Sequence, residues 1–161
     1  MIYLDREDLR DQKGMERAFR KYFQDVQKEC DGTFNAMLDV AFESCDYEKK
    51  SLTVRVELKP WMANPGGILH GGVSASLMDY AMGLLCRYFG GGVMTPTVSM
   101  EVGYQRPGVI GGQLLVRADM TMCGFTLCHA TGRAWMEGDE DKTVCTSTGV
   151  YYVSRKSGGV K

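Results

Sequence analysis

The sequence predicts an α+β domain in which an antiparallel sheet curls around one long helix. Three observations carry that prediction. Residues 72–88 are apolar or small nearly all round, the pattern of a helix buried on most faces. The segments on either side alternate apolar and polar residues with period two, as half-buried strands do. A chain of 161 residues suits one core of useful size, and no repeat, linker or low-complexity segment divides it.

Residues 5–29 are dense in both charge signs and place Met15, Phe19, Tyr22, Phe23 and Val26 at helical spacing. They read as an amphipathic helix whose interspersed charges form a solvated face. Residues 37–43 and 51–58 alternate and should pair as a hairpin turned at 46–50. Pro60 ends the second strand, and Pro65-Gly66-Gly67 marks a loop. The central helix runs from about Gly72 to Tyr88 and stops at Gly90-Gly91-Gly92. That triple glycine lacks the Lys-Ser/Thr of a phosphate loop and follows a helix, so it reads as a helix stop. Strands follow at 97–104, 113–122, 125–136 and 143–153, with Leu114, Val116, Ala118, Met120 and Met122 on one face. Five or six antiparallel strands must wrap the helix, because nothing else in the chain could bury it. The organisation is an N-terminal helical segment (1–34), a main domain (35–155) and a tail (156–161).

Composition bounds the function. The chain is 44% hydrophobic and 24% charged with net charge −1, so it lacks the basic face of a nucleic-acid binder. Nothing near Met1 resembles a signal peptide, and Asp79, Gly83 and Arg87 break the apolar run that would otherwise suggest a membrane span. A soluble cytoplasmic protein is expected, with no membrane partner. Six cysteines show no Cys-x-x-Cys spacing and only His70 and His129 accompany them, so no metal is expected. The cysteines read as buried thiols behaving like small hydrophobes. Cys128 and His129 are adjacent, but neighbours on a strand point to opposite faces.

Asp79 is the one formally charged residue between Lys59 and Arg87. An ionised carboxylate on an apolar helix must be paired, neutralised or kept for chemistry. The helix start offers unsatisfied N–H groups, partial positive charge and the bare backbone of Gly71 and Gly72, which suits a carbonyl oxygen that becomes an oxyanion. Asp79 lies about 12 Å further along the helix axis than Gly71, too far to act on a carbonyl held there. If both groups act together, they come from different subunits.

Asn64, His70-Gly71-Gly72 and Asp79, with Tyr104-Gln105-Arg106-Pro107 and residues 144–149, resemble the signature of the hotdog-fold acyl-CoA thioesterases. Within that superfamily the likeness is to the branch of phenylacetate-pathway and human THEM2-type enzymes, and it runs from about residue 37 to 153. The resemblance implies a hotdog fold, subunits joining their sheets, and active sites at the interface of a homodimer or of a homotetramer built as a dimer of dimers. It implies hydrolysis of an acyl-CoA to a carboxylic acid and CoA, with no cofactor beyond the CoA of the substrate. By position, Asp79 is the catalytic carboxylate, as general base or nucleophile, and the Gly71 N–H polarises the thioester carbonyl. Asn64 sits at the reaction centre, His70 holds the loop, and Thr97 positions water. Gly72, Met78, Met82 and Arg106 are expected at the substrate, Met78 and Met82 shaping the acyl pocket. Cys123-Gly124-Phe125 stands where relatives carry a basic residue, with Arg106 as the substitute for holding phosphates. The competing readings are an acyl-CoA-binding hotdog protein without catalysis and a hotdog hydratase or dehydratase, whose catalytic histidine would have to be His70.

Overall fold

In the computed structural model, which describes residues 2 and 4–154, the chain forms α1 (Gln12–Glu29), α2 (Phe34–Leu38), β1 (Ala41–Asp46), β2 (Ser51–Glu57), α3 (Gly71–Phe89), β3 (Thr97–Tyr104), β4 (Gln113–Cys123), β5 (Leu127–Met136) and β6 (Thr143–Tyr152). The six strands make one antiparallel sheet in the order β1-β2-β4-β5-β6-β3. Helix α3 packs on this sheet, and the whole is the hotdog fold that the sequence led us to expect. The tail at 156–161 lies outside the described residues.

Helix α3 starts and stops where its sequence says it must. His70 is the N-cap, with its Nδ1 accepting from Gly72 N at 2.9 Å, and Gly91 and Gly92 take up φ of 88° and 77° just past the end. Such left-handed backbone favours glycine, so the chain turns away here without strain. Leu77, Met78, Ala81, Met82, Leu85 and Cys86 are buried on the helix. The sulfurs of Met78 and Met82 lie under β5, within 3.0 and 3.4 Å of where a Cβ on Gly132 would be.

The N-terminal region differs from expectation in three ways. Helix α1 begins at Gln12, because the Asp11 carboxylate accepts from Gly14 N at 2.7 Å and fixes the start there. Residues 6–8 form a separate 3-10 turn. Residues 34–38, expected to lead into or form a strand, instead make the short helix α2 behind the N-cap Thr33. Asp39, at φ 51°, then redirects the chain into β1.

Most importantly, the sheet does not bury α3 alone. Helix α1 covers another side of it through an aromatic contact: Phe19 packs on Tyr88 at 5.2 Å between ring centroids, while Tyr22 and Phe23 flank Tyr80 at 6.3 and 5.9 Å. Tyr80 and Tyr88 are eight residues apart, two turns on one face, which is why one straight helix can reach both. The expected apolar face of β4 also ends early. Leu114, Val116 and Ala118 are buried, but the β4–β5 register shifts between Met120 and Met122, and Met122 is exposed. A bulge breaks the two-residue alternation on which the expectation rested.

Burial shapes the titration of the core thiols. Burial pushes both Cys45 and Cys145 up to about 11 from an ordinary 9.0. In the folded chain they keep their protons to higher pH than in the unfolded chain. The unfolded state therefore binds fewer protons between about pH 9 and 11, and stability falls as pH rises through that window.

Two outcomes are expected. Phe19→Ala removes a fully buried ring from the α1–α3 contact and should cost about 3–5 kcal/mol in urea unfolding. A loss under about 1 kcal/mol would mean that α1 is not part of the core. The melting temperature should fall between about pH 9 and 11, and Cys145→Ala should make that fall shallower; an unchanged slope would contradict the burial origin.

Candidate active site

Asp79 projects from α3 together with Ala75, Ser76 and Gly83. These residues line a cavity of about 580 Å³, whose other walls include Tyr22, Phe34, Arg87, Met94 and Thr97. Two hydroxyls hold the carboxylate by one oxygen. Thr97 Oγ1 donates to Asp79 Oδ1 at 2.7 Å and Tyr151 OH donates to the same atom at 3.1 Å. Thr97 and Tyr151 face each other across the β3–β6 pairing, so the sheet itself delivers both donors to one point. Among the described residues no donor reaches Oδ2.

The Tyr151 ring reaches Asp79 through a slot that two glycines keep open. A Cβ on Gly83 would lie 3.2 Å from the ring, and one on Gly149 only 2.8 Å. The phenol is fully buried, and burial together with the nearby Asp79 charge pushes its pKa well up. It therefore stays a neutral donor throughout the working range of pH.

Thr97 was expected to position water. Its proton goes instead to Asp79, so its direct role in the structure is to orient the acid, with lone pairs left to accept from a water.

The second group of residues lies at the N-terminal start of α3. Asn64, Gly71, Tyr104 and Arg106 line a separate cavity of about 350 Å³. At the start of α3, the N–H groups of Val73 and Ser74 both reach His70 O at 3.0 Å, and that of Gly72 is taken by His70 Nδ1. The Gly71 N–H is the first of the helix and has no intrahelical acceptor. It alone of these four amides is left to face a ligand. Tyr104 leans over it, its OH donating to Gly71 O at 2.8 Å. Asn64 Oδ1 accepts from Gly66 N at 2.8 Å and holds the loop, leaving its NH₂ to donate outward. Arg106 is exposed and donates to Thr143 O at 3.2 Å.

Three residues expected at the substrate are otherwise engaged in the fold. The Gly72 N–H is capped by His70 and is not open to a carbonyl. Met78 and Met82 line neither cavity. They are buried on the side of α3 toward β5 and pack in the core. His70 is a cap whose Nδ1 is an acceptor, not a base at a reacting carbon. Sequence reasoning missed Tyr151 altogether, and it noted Tyr104 and Tyr22 without placing them at the site. Gly149 two residues before Tyr151 was the one available signal, since a glycine in a central strand marks a close approach.

Among the described residues no cluster of three or more His, Cys, Asp or Glu side chains could hold a metal ion, and no helix is long and apolar enough to cross a membrane.

The model of the Thioesterase superfamily matches residues 66–143 of the chain. Among solved structures, thioesterase superfamily member 2 of zebrafish is 22% identical with a TM-score of 0.76, covering 85% of this chain and 96% of its own. The Escherichia coli PaaI protein of the phenylacetic acid degradation operon is 21% identical with a TM-score of 0.67, covering 81% and 91%. A Streptococcus mutans protein, smu.793, whose structure holds acetyl-CoA, is 22% identical with a TM-score of 0.65, covering 73% and 90%. No curated protein matches the chain by sequence.

The slot makes a stability prediction. Gly149→Ala places a Cβ inside the Tyr151 ring contact and should cost about 1–3 kcal/mol, read by urea unfolding, because a packed core yields little. An unchanged midpoint would mean that the slot is slack.

Proposed function

We propose that the protein is an acyl-CoA thioesterase that works as a homodimer, with each active site assembled from both copies. The carrying observation is that its two half-sites lie at opposite ends of one exposed edge strand. Thr97, which holds Asp79, begins β3, and Tyr104, which leans on Gly71, ends it. The two are about 23 Å apart along an extended strand. β3 is the last strand of the sheet, and its edge is open, with Val98 at 59% and Tyr104 at 58% exposure. An open edge is a template for another strand. Pairing two β3 edges antiparallel about a two-fold axis sets the start of each strand beside the end of the other. Asp79 of one copy then faces Gly71, Asn64 and Arg106 of its partner.

In that composite site the thioester carbonyl oxygen accepts from the Gly71 N–H, backed by the positive end of α3. The Asn64 NH₂ donates beside it. Asp79 Oδ2 either takes a proton from an attacking water or attacks the carbonyl carbon itself, and Thr97 and Tyr151 aim the carboxylate by bonding to Oδ1. Collapse of the tetrahedral intermediate breaks the C–S bond and releases CoA thiolate, which takes up a proton; with water as nucleophile the free acid leaves directly, and with Asp79 as nucleophile a mixed anhydride remains, which water hydrolyses to the free acid and the Asp79 carboxylate. Arg106 lies in the same cavity as Gly71 and supplies the cation for a phosphate of CoA. The family match and the acetyl-CoA held by the Streptococcus mutans protein support the substrate class. The capping role of His70 speaks against a hydratase or dehydratase.

Asp79→Asn should lower kcat on acyl-CoA substrates by at least about 100-fold with the melting temperature nearly unchanged. Mixing equal amounts of Asp79→Asn and Asn64→Ala subunits after denaturation and refolding should recover about a quarter of wild-type activity, because half of the dimers are mixed and each mixed dimer keeps one intact site. Release of CoA thiol reads both. Full turnover by Asp79→Asn would overturn the chemistry, and mixtures no better than the separate variants would overturn the shared site.

A further inference from the structure

The thiols expected to be inert hydrophobes are not all buried, and two of them form a built pair. Cys123 ends β4 and Cys128 lies directly opposite it at the start of β5. Opposed residues of an antiparallel ladder have Cα atoms about 4.5–5.5 Å apart. That separation falls inside the roughly 4.4–6.8 Å window a disulfide spans without backbone movement. The two sulfurs are already 2.9 Å apart. The hairpin between them is closed by Gly124 N donating to Leu127 O at 2.8 Å, so the pairing needs no further ordering of the chain.

Burial divides the pair into two roles. Cys123 is exposed and Cys128 is fully buried. A third thiol, Cys86 on α3, lies beside them, and its pKa is pushed well up, first by burial and then by the neighbouring sulfurs. Cys86 therefore stays a protonated bystander. Cys123 is the thiol that solvent-borne reagents meet, and Cys128 is the only partner set in register to finish the exchange.

We propose that Cys123 and Cys128 are a dithiol modification site that reversibly closes to a disulfide by exchange with a small-molecule disulfide of the glutathione type. The Cys123 thiolate attacks one sulfur of oxidised glutathione. The reagent's S–S bond breaks, and the departing glutathione thiolate takes up the proton that Cys123 lost. Cys128, losing its proton, then attacks Cys123 Sγ, forms the intramolecular S–S bond and expels the second glutathione, which takes up that proton. Two protein thiols are oxidised and one glutathione disulfide is reduced to two thiols. The site is independent of the thioesterase reading and is tested without an activity assay.

The full chain is incubated with excess oxidised glutathione, alkylated with a maleimide and mapped as unreduced peptides. The expected result is a Cys123–Cys128 linked peptide lighter by two hydrogens, the loss of both residues from the maleimide-reactive pool, and return of both in excess reduced glutathione. Cys128→Ser should stop the reaction at a stable glutathione adduct on Cys123. Cys123→Ser, at an exposed position where folding is undemanding, should leave Cys128 unoxidised. The proposal is overturned if the wild-type chain keeps both thiols alkylatable, if it retains the glutathione adduct on Cys123, or if the link forms to Cys86.

Discussion

Covering α3 on two sides is the constraint on which the rest of this structure depends. The helix is too apolar to sit on a sheet with its back in water. One side goes against the sheet through Leu77, Met78, Met82 and Leu85, and another goes to α1 through Tyr80 and Tyr88. What remains is a narrow strip bearing Ala75, Ser76, Asp79 and Gly83, small residues around one acid. The cavity beside that strip exists because those side chains are small. The acid is tolerated there because β3 and β6 bring two hydroxyls to it.

Positioning and packing are therefore one arrangement. The Tyr151 ring fills the space left by Gly83 and Gly149 and in the same act carries a donor to Asp79 Oδ1. A larger residue at either glycine would disturb the core and the carboxylate together. At the helix start the same economy holds. His70 caps one amide and its carbonyl takes two more, which leaves Gly71 as the amide with no partner of its own.

Much of this was legible in the residues, and the failures have physical causes. The helix limits, the strand ladder and the isolation of Asp79 follow from local pattern, because apolar periodicity and glycine stops are short-range signals. The distance along α3 from Gly71 to Asp79 argued for two subunits from helix geometry alone, and their separation into two cavities is in keeping with it. Which way Met78 and Met82 point was not legible, because a helix hydrophobic all round does not announce which face meets the sheet. Tyr151, 72 residues from its partner Asp79, was missed because such a contact is a property of the closed sheet. The strand expected from residue 37 begins only at Ala41, because the cap at Thr33 and the left-handed turn at Asp39 outweigh the first part of a short alternating run. Cys123 and Cys128 looked unremarkable by spacing, since only strand register sets them face to face.

The aromatic contact between α1 and α3 also governs how the chain is made. Phe19, Tyr22 and Phe23 leave the ribosome well before Tyr80 and Tyr88, which lie some sixty residues later. At about 5–20 residues per second the greasy stripe of α1 waits roughly 3–12 seconds for its cover. During that interval it is an amphipathic helix with one unclaimed side, and the β1–β2 hairpin is the first structure able to shelter it. Helix α1 is thus made well before the helix it covers. Slow elongation through the region of α3 would prolong its exposure, and the nascent chain is most vulnerable to chaperone capture or aggregation in that window.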